Sequence, residues 1–149
     1  MRVFQLVYGS VPTILQEYLD SVKKIYNEVI VYKFEVSENP VNDSDNFRIK
    51  ILQSYNDILY IDWDIRLTGE LTLINNGLPC FEYYRGIPDY GLIYSPHKEF
   101  WLKVEKERDN RGIDNSVYGW PRKILRGKEC NEIKGNFEHI RYSSSHKII

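Results

Sequence analysis

The sequence predicts an α/β domain with a mostly parallel central sheet and helices on both faces. Two observations carry that expectation. Through residue 62 the apolar pattern switches between strand-like runs and helical spacing in the order β-α-β-α-β, the order of a parallel sheet with crossover helices. Composition then gives such a sheet enough to bury: 42% of the 149 residues are hydrophobic and 28% are charged, the balance of a folded domain rather than a disordered or fibrous chain. The length is that of one domain, expected to span residues 1–149.

Val3 to Tyr8 reads as a short buried strand, broken by Gly9-Ser10. Thr13 with Gln16 fits a capping box, and Ile14, Tyr18, Leu19, Val22 and Ile25 follow on one helical face. Val29 to Phe34, β-branched and aromatic, reads as a second strand. Glu35 to Asp43 is polar, contains a proline and reads as a loop, with Ser44 as N-cap of a second helix striped by Phe47, Ile51, Leu52 and Tyr55. Asn56-Asp57 ends that helix, and Ile58 to Ile61 reads as a buried strand. Right-handed crossovers then bring the strand ends to one rim of the sheet.

Past Asp64 the pattern loosens. Glu70 to Ile74 and Cys80 to Tyr84 read as strands joined by a turn at Asn75-Asn76-Gly77, and Tyr90 to Tyr94 as another. Ser95-Pro96 opens a helix with Pro in its first turn and Phe100, Trp101 and Val104 on its apolar side. Asn110 to Gly112 ends it, and Phe137 to Tyr142 is a final strand.

Charge and cysteine usage exclude several function classes. A formal net charge of -1 provides no basic field for a phosphate backbone, so general nucleic-acid binding is not expected. Cys80 and Cys130 alone make neither a disulfide framework nor a zinc site. No segment reaches the roughly 20 apolar residues of a membrane span, and the first residues lack the apolar core of a signal peptide. A cytoplasmic protein is expected, with peripheral access to a membrane surface. Twelve Tyr and three Trp suit a sugar-binding cleft, and suit an ordinary core equally.

Chemistry concentrates in Ile58-Leu59-Tyr60-Ile61-Asp62-Trp63-Asp64. Strand side chains alternate, so carboxylates two residues apart can point the same way. At a strand end such a pair can hold a divalent cation through oxygen ligands, Mn²⁺ or Mg²⁺, and through it a diphosphate. A solvated turn accounts for Asp-x-Asp as well. Upstream, Asp45 and Arg48 can face a ligand, the arginine offering a planar fork. They can equally form an ion pair three residues apart on a helix.

The run Ser44-Asp45-x-x-Arg48, then Ile51-Leu52, Tyr55, Leu59-Tyr60 and Asp62-x-Asp64 resembles the glycosyltransferase sugar-binding region containing a DXD motif. This is a family 32-like group of GT-A fold that includes capsular polysaccharide transferases, yeast mannosyltransferases and the catalytic domains of clostridial glucosylating toxins. The resemblance implies a minimal GT-A-like (Rossmann-like) domain that transfers a sugar, with retention of configuration, from a nucleotide-sugar donor (a UDP- or GDP-sugar) to a glycan, glycolipid or protein hydroxyl.

It also implies roles. Asp64 is the more direct metal ligand, and Asp62 contacts the sugar or ribose or reaches the metal through water; these two are the candidate catalytic residues. Tyr8, Asp45, Arg48, Asp62 and Trp63 form the donor side, and Asp89, Asp114 and Asn115 the acceptor side. His139 and Ser144 correspond to the closing His and Ser of the family and join the metal set. The sequence departs from the family pattern at Asn56-Asp57, where the family has Gly-Gly, at Tyr90 for Asn and at Ser145 for Trp. Two other readings use the same acidic strand end: a metal-dependent phosphohydrolase, and a non-catalytic core that binds nucleotide sugars without turnover.

Overall fold

The computed structural model describes residues 1–35 and 38–141. Six strands form the main sheet: β1 (Arg2–Tyr8), β2 (Val29–Phe34), β3 (Ile58–Asp62), β5 (Cys80–Tyr84), β6 (Ile87–Ser95) and β7 (Asn131–Glu132). Their order is β2-β1-β3-β6-β5-β7. β2, β1 and β3 run parallel, β6 is antiparallel to both β3 and β5, and β7 is parallel to β5. Only β6 therefore runs against the rest, and the sheet is mostly parallel. A separate antiparallel ribbon pairs β4 (Ile65–Leu67) with β8 (Phe137–His139).

Alternation along the central strands builds two core layers. Phe4, Leu6, Ile58, Tyr60, Phe81 and Ile93 face one side, packed with residues of α2 (Pro40–Ser54), α3 (Lys98–Asn110) and α4 (Trp120–Leu125). Val3, Leu59, Ile61 and Leu92 face the other, with Val22 of α1 (Thr13–Ile25) and Ile65 and Leu67 of the ribbon. β3 is covered on both faces, and its apolar run Ile58 to Ile61 is 0% exposed, as expected of a central parallel strand. Burying an aliphatic side chain of that kind contributes about 1.5–3 kcal/mol. Trp101 and Trp120 fill the α2 side, and their buried indole N–H groups donate to Ser95 Oγ and Asn46 Oδ1, each at 2.8 Å.

Several local expectations are corrected. α1 begins after Pro12 with no side-chain cap, so the Thr13–Gln16 capping box does not form. Gln16 instead donates to Asp20. Leu15, Leu19 and Val22 are the buried residues of α1, whereas Ile14 is 56% exposed. α2 starts at Pro40, inside the expected loop, because proline suits the first helical turn. Residues 36 and 37 of that loop lie outside the described residues. Ser44 is thus inside α2, and its hydroxyl donates to Val41 O at 2.8 Å. Glu70 to Ile74 is not a strand: the backbone N–H of Leu71 is taken by Tyr26 Oη, and among the described residues no strand pairs with the segment.

The hairpin of this region joins β5 to β6 through Arg85-Gly86, not through Asn75-Asn76-Gly77. α3 starts at Lys98, two residues past Pro96. α4 was not foreseen; β8 spans Phe137–His139 and leaves out Ile140 and Arg141, while Tyr142 of the expected strand lies outside the described residues. No helix among the described residues is long and apolar enough to cross a membrane.

One buried group conflicts with the core around it. Gln5, on β1 between Val3 and Val7, is 0% exposed, and neither its Oε1 nor its Nε2 finds a partner among the described residues. A buried amide without partners is destabilising. Gln5→Met, near in volume and without the amide, is expected to raise the unfolding free energy by ~1–2 kcal/mol in urea titrations. A loss of stability would mean that the amide is satisfied in solution.

Candidate functional site

The site forms where β3 ends. Asp62 is its last residue, and Asp64 lies in the turn to β4. The two carboxylates therefore converge through a turn, not through alternation along one strand. β8 then pairs with β4, setting His139 opposite Ile65, while the Ile140 N–H donates to Asp64 O at 3.1 Å. The ribbon thus carries an imidazole to the carboxylates. One ligand atom each of Asp62, Asp64 and His139 lies within 4.8 Å of the others.

Each member is held from behind. Tyr60 and Asp62 share the face of β3 that meets α2, since strand side chains alternate. Asp62 Oδ1 accepts from Tyr60 Oη at 2.5 Å and from Arg48 Nη2 of α2 at 3.1 Å. Arg48 also reaches Asp45 Oδ1 at 3.5 Å and lies over the rings of Tyr60 and Tyr90. Tyr90 Oη donates to Asp45 Oδ2 at 3.1 Å. His139 places Nε2 3.0 Å from Asp64 Oδ1 and Nδ1 2.7 Å from Glu82 Oε2. Arg141 bridges Glu82 Oε1 and Asp89 Oδ2 at 2.9 and 3.2 Å.

The backbone of β6 comes unusually near. The register that sets Ile61 opposite Leu92 brings Gly91 beside Asp62. A Cβ at Gly91 would stand 2.8 Å from Asp62 Oδ2 and 3.0 Å from His139 Cε1. Glycine leaves this space to the site.

Burial of so much charge perturbs its ionisation. Desolvation, helped by the neighbouring Asp64, pushes Asp62 up to about 6 against the pull of Arg48, Tyr60 and His139. Burial also raises Asp45 despite Arg48 and Tyr90, and raises Tyr90, with Asp45 adding to the effect. For His139, burial favours the neutral ring, but hydrogen bonds to Asp64 and Glu82 outweigh it and carry the imidazole to about 10. Without a metal, His139 is an imidazolium clamped between two carboxylates.

Among the described residues, Asp45, Arg48 and Asp62 form one bonded group and Asp64, His139 and Asp89 another through Glu82 and Arg141, and the two meet at the Asp62–Asp64–His139 cluster. Trp63, Asp114 and Asn115 are engaged elsewhere. Trp63 is 7% exposed and packs with Val7, Leu15 and Leu19. Asp114 caps Ser116, and Asn115 O accepts from Asn42 and Asn46 of α2, in an exposed loop between α3 and α4. Tyr8 ends β1 opposite Phe34. Ser144 lies outside the described residues. Sequence reasoning missed Glu82, Gly91 and Tyr60 as members. Two left a signal: a carboxylate inside the apolar run of β5, and a glycine inside a strand pattern, the mark of a close approach.

No protein-family model matches the sequence, and no curated protein is similar to it in sequence. The fold is shared with solved structures. A glycosyltransferase involved in the glycosylation of the major capsid of PBCV-1 matches over 95% of each chain, with a TM-score of 0.56 at 12% identity. The A197 protein of STIV matches with a TM-score of 0.54 at 12% identity, over 94% of this chain and 86% of that one. The glycosyltransferase GlyE of Streptococcus pneumoniae TIGR4 matches with a TM-score of 0.50 at 14% identity, over 89% of this chain; the chain spans 45% of GlyE. The molecule thus has a GT-A-like α/β fold.

The donor set fits a divalent cation. Two carboxylates and an imidazole are donors that a divalent cation can take. Adjacent ligands of an octahedral ion at about 2.1 Å stand about 3 Å apart, the separation of His139 Nε2 and Asp64 Oδ1 being 3.0 Å. Glu82 accepts from Nδ1 and so orients Nε2 as the ligating atom, the usual support for a metal-binding histidine.

Metal-free stability is expected to fall as pH rises. The folded chain keeps the Asp62 proton to about 6 and the His139 proton to about 10. The unfolded chain releases them near the ordinary 3.8 and 6.5. Folded protein therefore binds more protons in both windows, and stability declines between 3.8 and 6 and again between 6.5 and 10. Urea titrations in chelator should record a total loss on the order of a few kcal/mol. His139→Gln should flatten the upper window, and an unchanged slope there would contradict the clamped imidazolium.

Proposed function

We propose that this chain is a metal-dependent glycosyltransferase that moves a sugar from a UDP- or GDP-sugar to a hydroxyl of a glycan, glycolipid or protein acceptor, with retention of configuration. The observation that carries this reading is the convergence of Asp62, Asp64 and His139 at the end of β3, in a fold shared with glycosyltransferases. The resemblance of the Ser44 to Asp64 run to the DXD family supports it from the sequence side.

Asp64 and His139 Nε2 would hold Mn²⁺ or Mg²⁺, with Asp62 as third ligand or as a contact to the sugar. The cation, when bound, stabilises charge on the departing diphosphate. Arg48 and Tyr60 are positioning residues: both bond Asp62 Oδ1, which leaves Oδ2 turned toward the Gly91 gap. Glu82 fixes the His139 ring. Asp45 and Tyr90 steady Arg48 from below, so on this reading the Asp45–Arg48 pair serves the site from beneath it rather than by touching the donor. Preorganised charge of this kind lowers a barrier without reorganisation during the reaction.

Calorimetric titration with UDP- and GDP-sugars, with Mn²⁺ and then with EDTA, tests the reading. Metal-dependent binding to one donor is expected, weakened at least about tenfold by Asp64→Asn through loss of a charged ligand. Gly91→Ala should weaken it comparably, because its Cβ would meet Asp62 Oδ2 at 2.8 Å. Folded protein that binds no donor would overturn the reading. Metal-dependent phosphate release without sugar transfer would identify a phosphohydrolase, and donor binding without turnover a non-catalytic core.

A further inference from the structure

Beside the carboxylates lies a cleft of about 180 Å³ lined by Tyr84, Arg85, Ile87, Pro88, Asp89 and Arg122. The β5–β6 hairpin supplies all of these but Arg122, which comes from α4. Asp89 ties the cleft to the site, since one of its carboxylate oxygens lies within 4.8 Å of ligand atoms of Glu82 and His139. The space is smaller than the roughly 300–1,000 Å³ of drug-sized pockets, room for one ring or one anionic group.

Two arginines define its chemistry. Arg48, Arg66, Arg108, Arg111 and Arg141 all meet carboxylates. Arg85 and Arg122 make no ion pair among the described residues; they lie over the rings of Tyr84 and Tyr90 at 5.1 and 5.3 Å. Both are exposed at the cleft. Guanidinium groups so placed suit an oxyanion, which they can grip through two parallel bonds.

The backbone gives an independent sign. Arg85 and Gly86 form the two-residue hairpin loop, with φ of 53° and 77°. A loop with both φ values positive favours Asn-Gly, and a non-glycine residue there carries a backbone cost of roughly 1–2 kcal/mol that Asn largely avoids. An arginine held in that conformation points to a use for its side chain.

We infer that the cleft is an acceptor subsite for a saccharide bearing an oxyanion, a phosphate or a carboxylate. Arg85 and Arg122 bind the anion, Tyr84, Ile87 and Pro88 form the apolar wall against the ring, and Asp89 accepts from a sugar hydroxyl. This rests on the transferase reading, in which the cation at Asp62, Asp64 and His139 meets the donor diphosphate. A second anion site then belongs to the other substrate.

The test is titration of the full chain in EDTA, followed by calorimetry and backbone amide NMR, with glucose 6-phosphate, glucuronate, glucose and inorganic phosphate. One sugar anion should bind more tightly than glucose and shift the Tyr84 and Asp89 amides; which one does so names phosphate or carboxylate as the source. Arg122→Gln should weaken that binding at least about tenfold. Arg85→Asn should weaken it as much while raising the melting temperature, a combination that loss of folding cannot produce. Equal binding of glucose, equal binding of inorganic phosphate and the sugar phosphate, or unchanged affinity in both variants would overturn the proposal. So would weaker nucleotide binding with Mn²⁺ in Arg85→Asn, which would place the cleft in the donor site. Wild type that binds a sugar anion in EDTA but no nucleotide with metal would remove the transferase reading and with it the acceptor role, while leaving a sugar-anion site.

Discussion

Asp45, Asp64 and Glu82 are buried along one rim and Asp62 is half-buried beside them, with Arg48 and His139 between them, and the architecture of the second half of the chain depends on that neutralisation. Carboxylates gathered this closely repel one another and lose hydration. Arg48 answers the pair on the α2 side, Asp45 and Asp62. His139 answers the pair on the ribbon side, Asp64 and Glu82. The two cations reach the rim by different routes. Arg48 rises from a helix that the core holds through Ile49, Ile51 and Leu52. His139 arrives on a three-residue strand whose only strand partner among the described residues is β4. Removing either cation would leave buried anions facing each other, a costlier loss than that of a surface ion pair.

The reversed strand explains how a parallel sheet accommodates this. β6 passes between β3 and β5 in the opposite direction. Its middle, Asp89 to Gly91, therefore passes the end of β3. The Gly91 backbone takes the place next to Asp62, Tyr90 reaches down to Asp45, and Asp89 reaches across to Arg141. Three consecutive residues thus serve three different neighbours.

Legibility in the sequence followed contact range. β1 and β3 were readable because their apolar runs are local and buried; β2, half-buried at the sheet edge, was readable from its β-branched and aromatic run and matches its expected span Val29 to Phe34. Asp62 and Asp64 were readable because they sit at the end of such a run. Glu70 to Ile74 misled because Leu71 and Leu73 pack against the core without a strand to pair with. Glu82 was hidden because its partners, His139 and Arg141, lie far off in sequence; Tyr60, although it bonds Asp62 two residues on, reads as one more apolar residue of β3. The approach of His139 depends on the β4–β8 ribbon, and three-residue strands leave almost no periodic signal. The family resemblance supplied His139, which spacing alone could not.

The ribbon has a consequence for how the molecule comes into being. The carboxylates of Asp62 and Asp64 emerge from synthesis early, on a strand that can join β1 at once. The imidazole that completes them follows only after α3, α4 and β7. Closing so long an interval is among the slower steps of folding. A nascent chain can therefore possess its sheet before His139 reaches Asp64 and Glu82, and the charge cluster is completed with β8. The completed charge cluster then marks maturation rather than nucleating the domain.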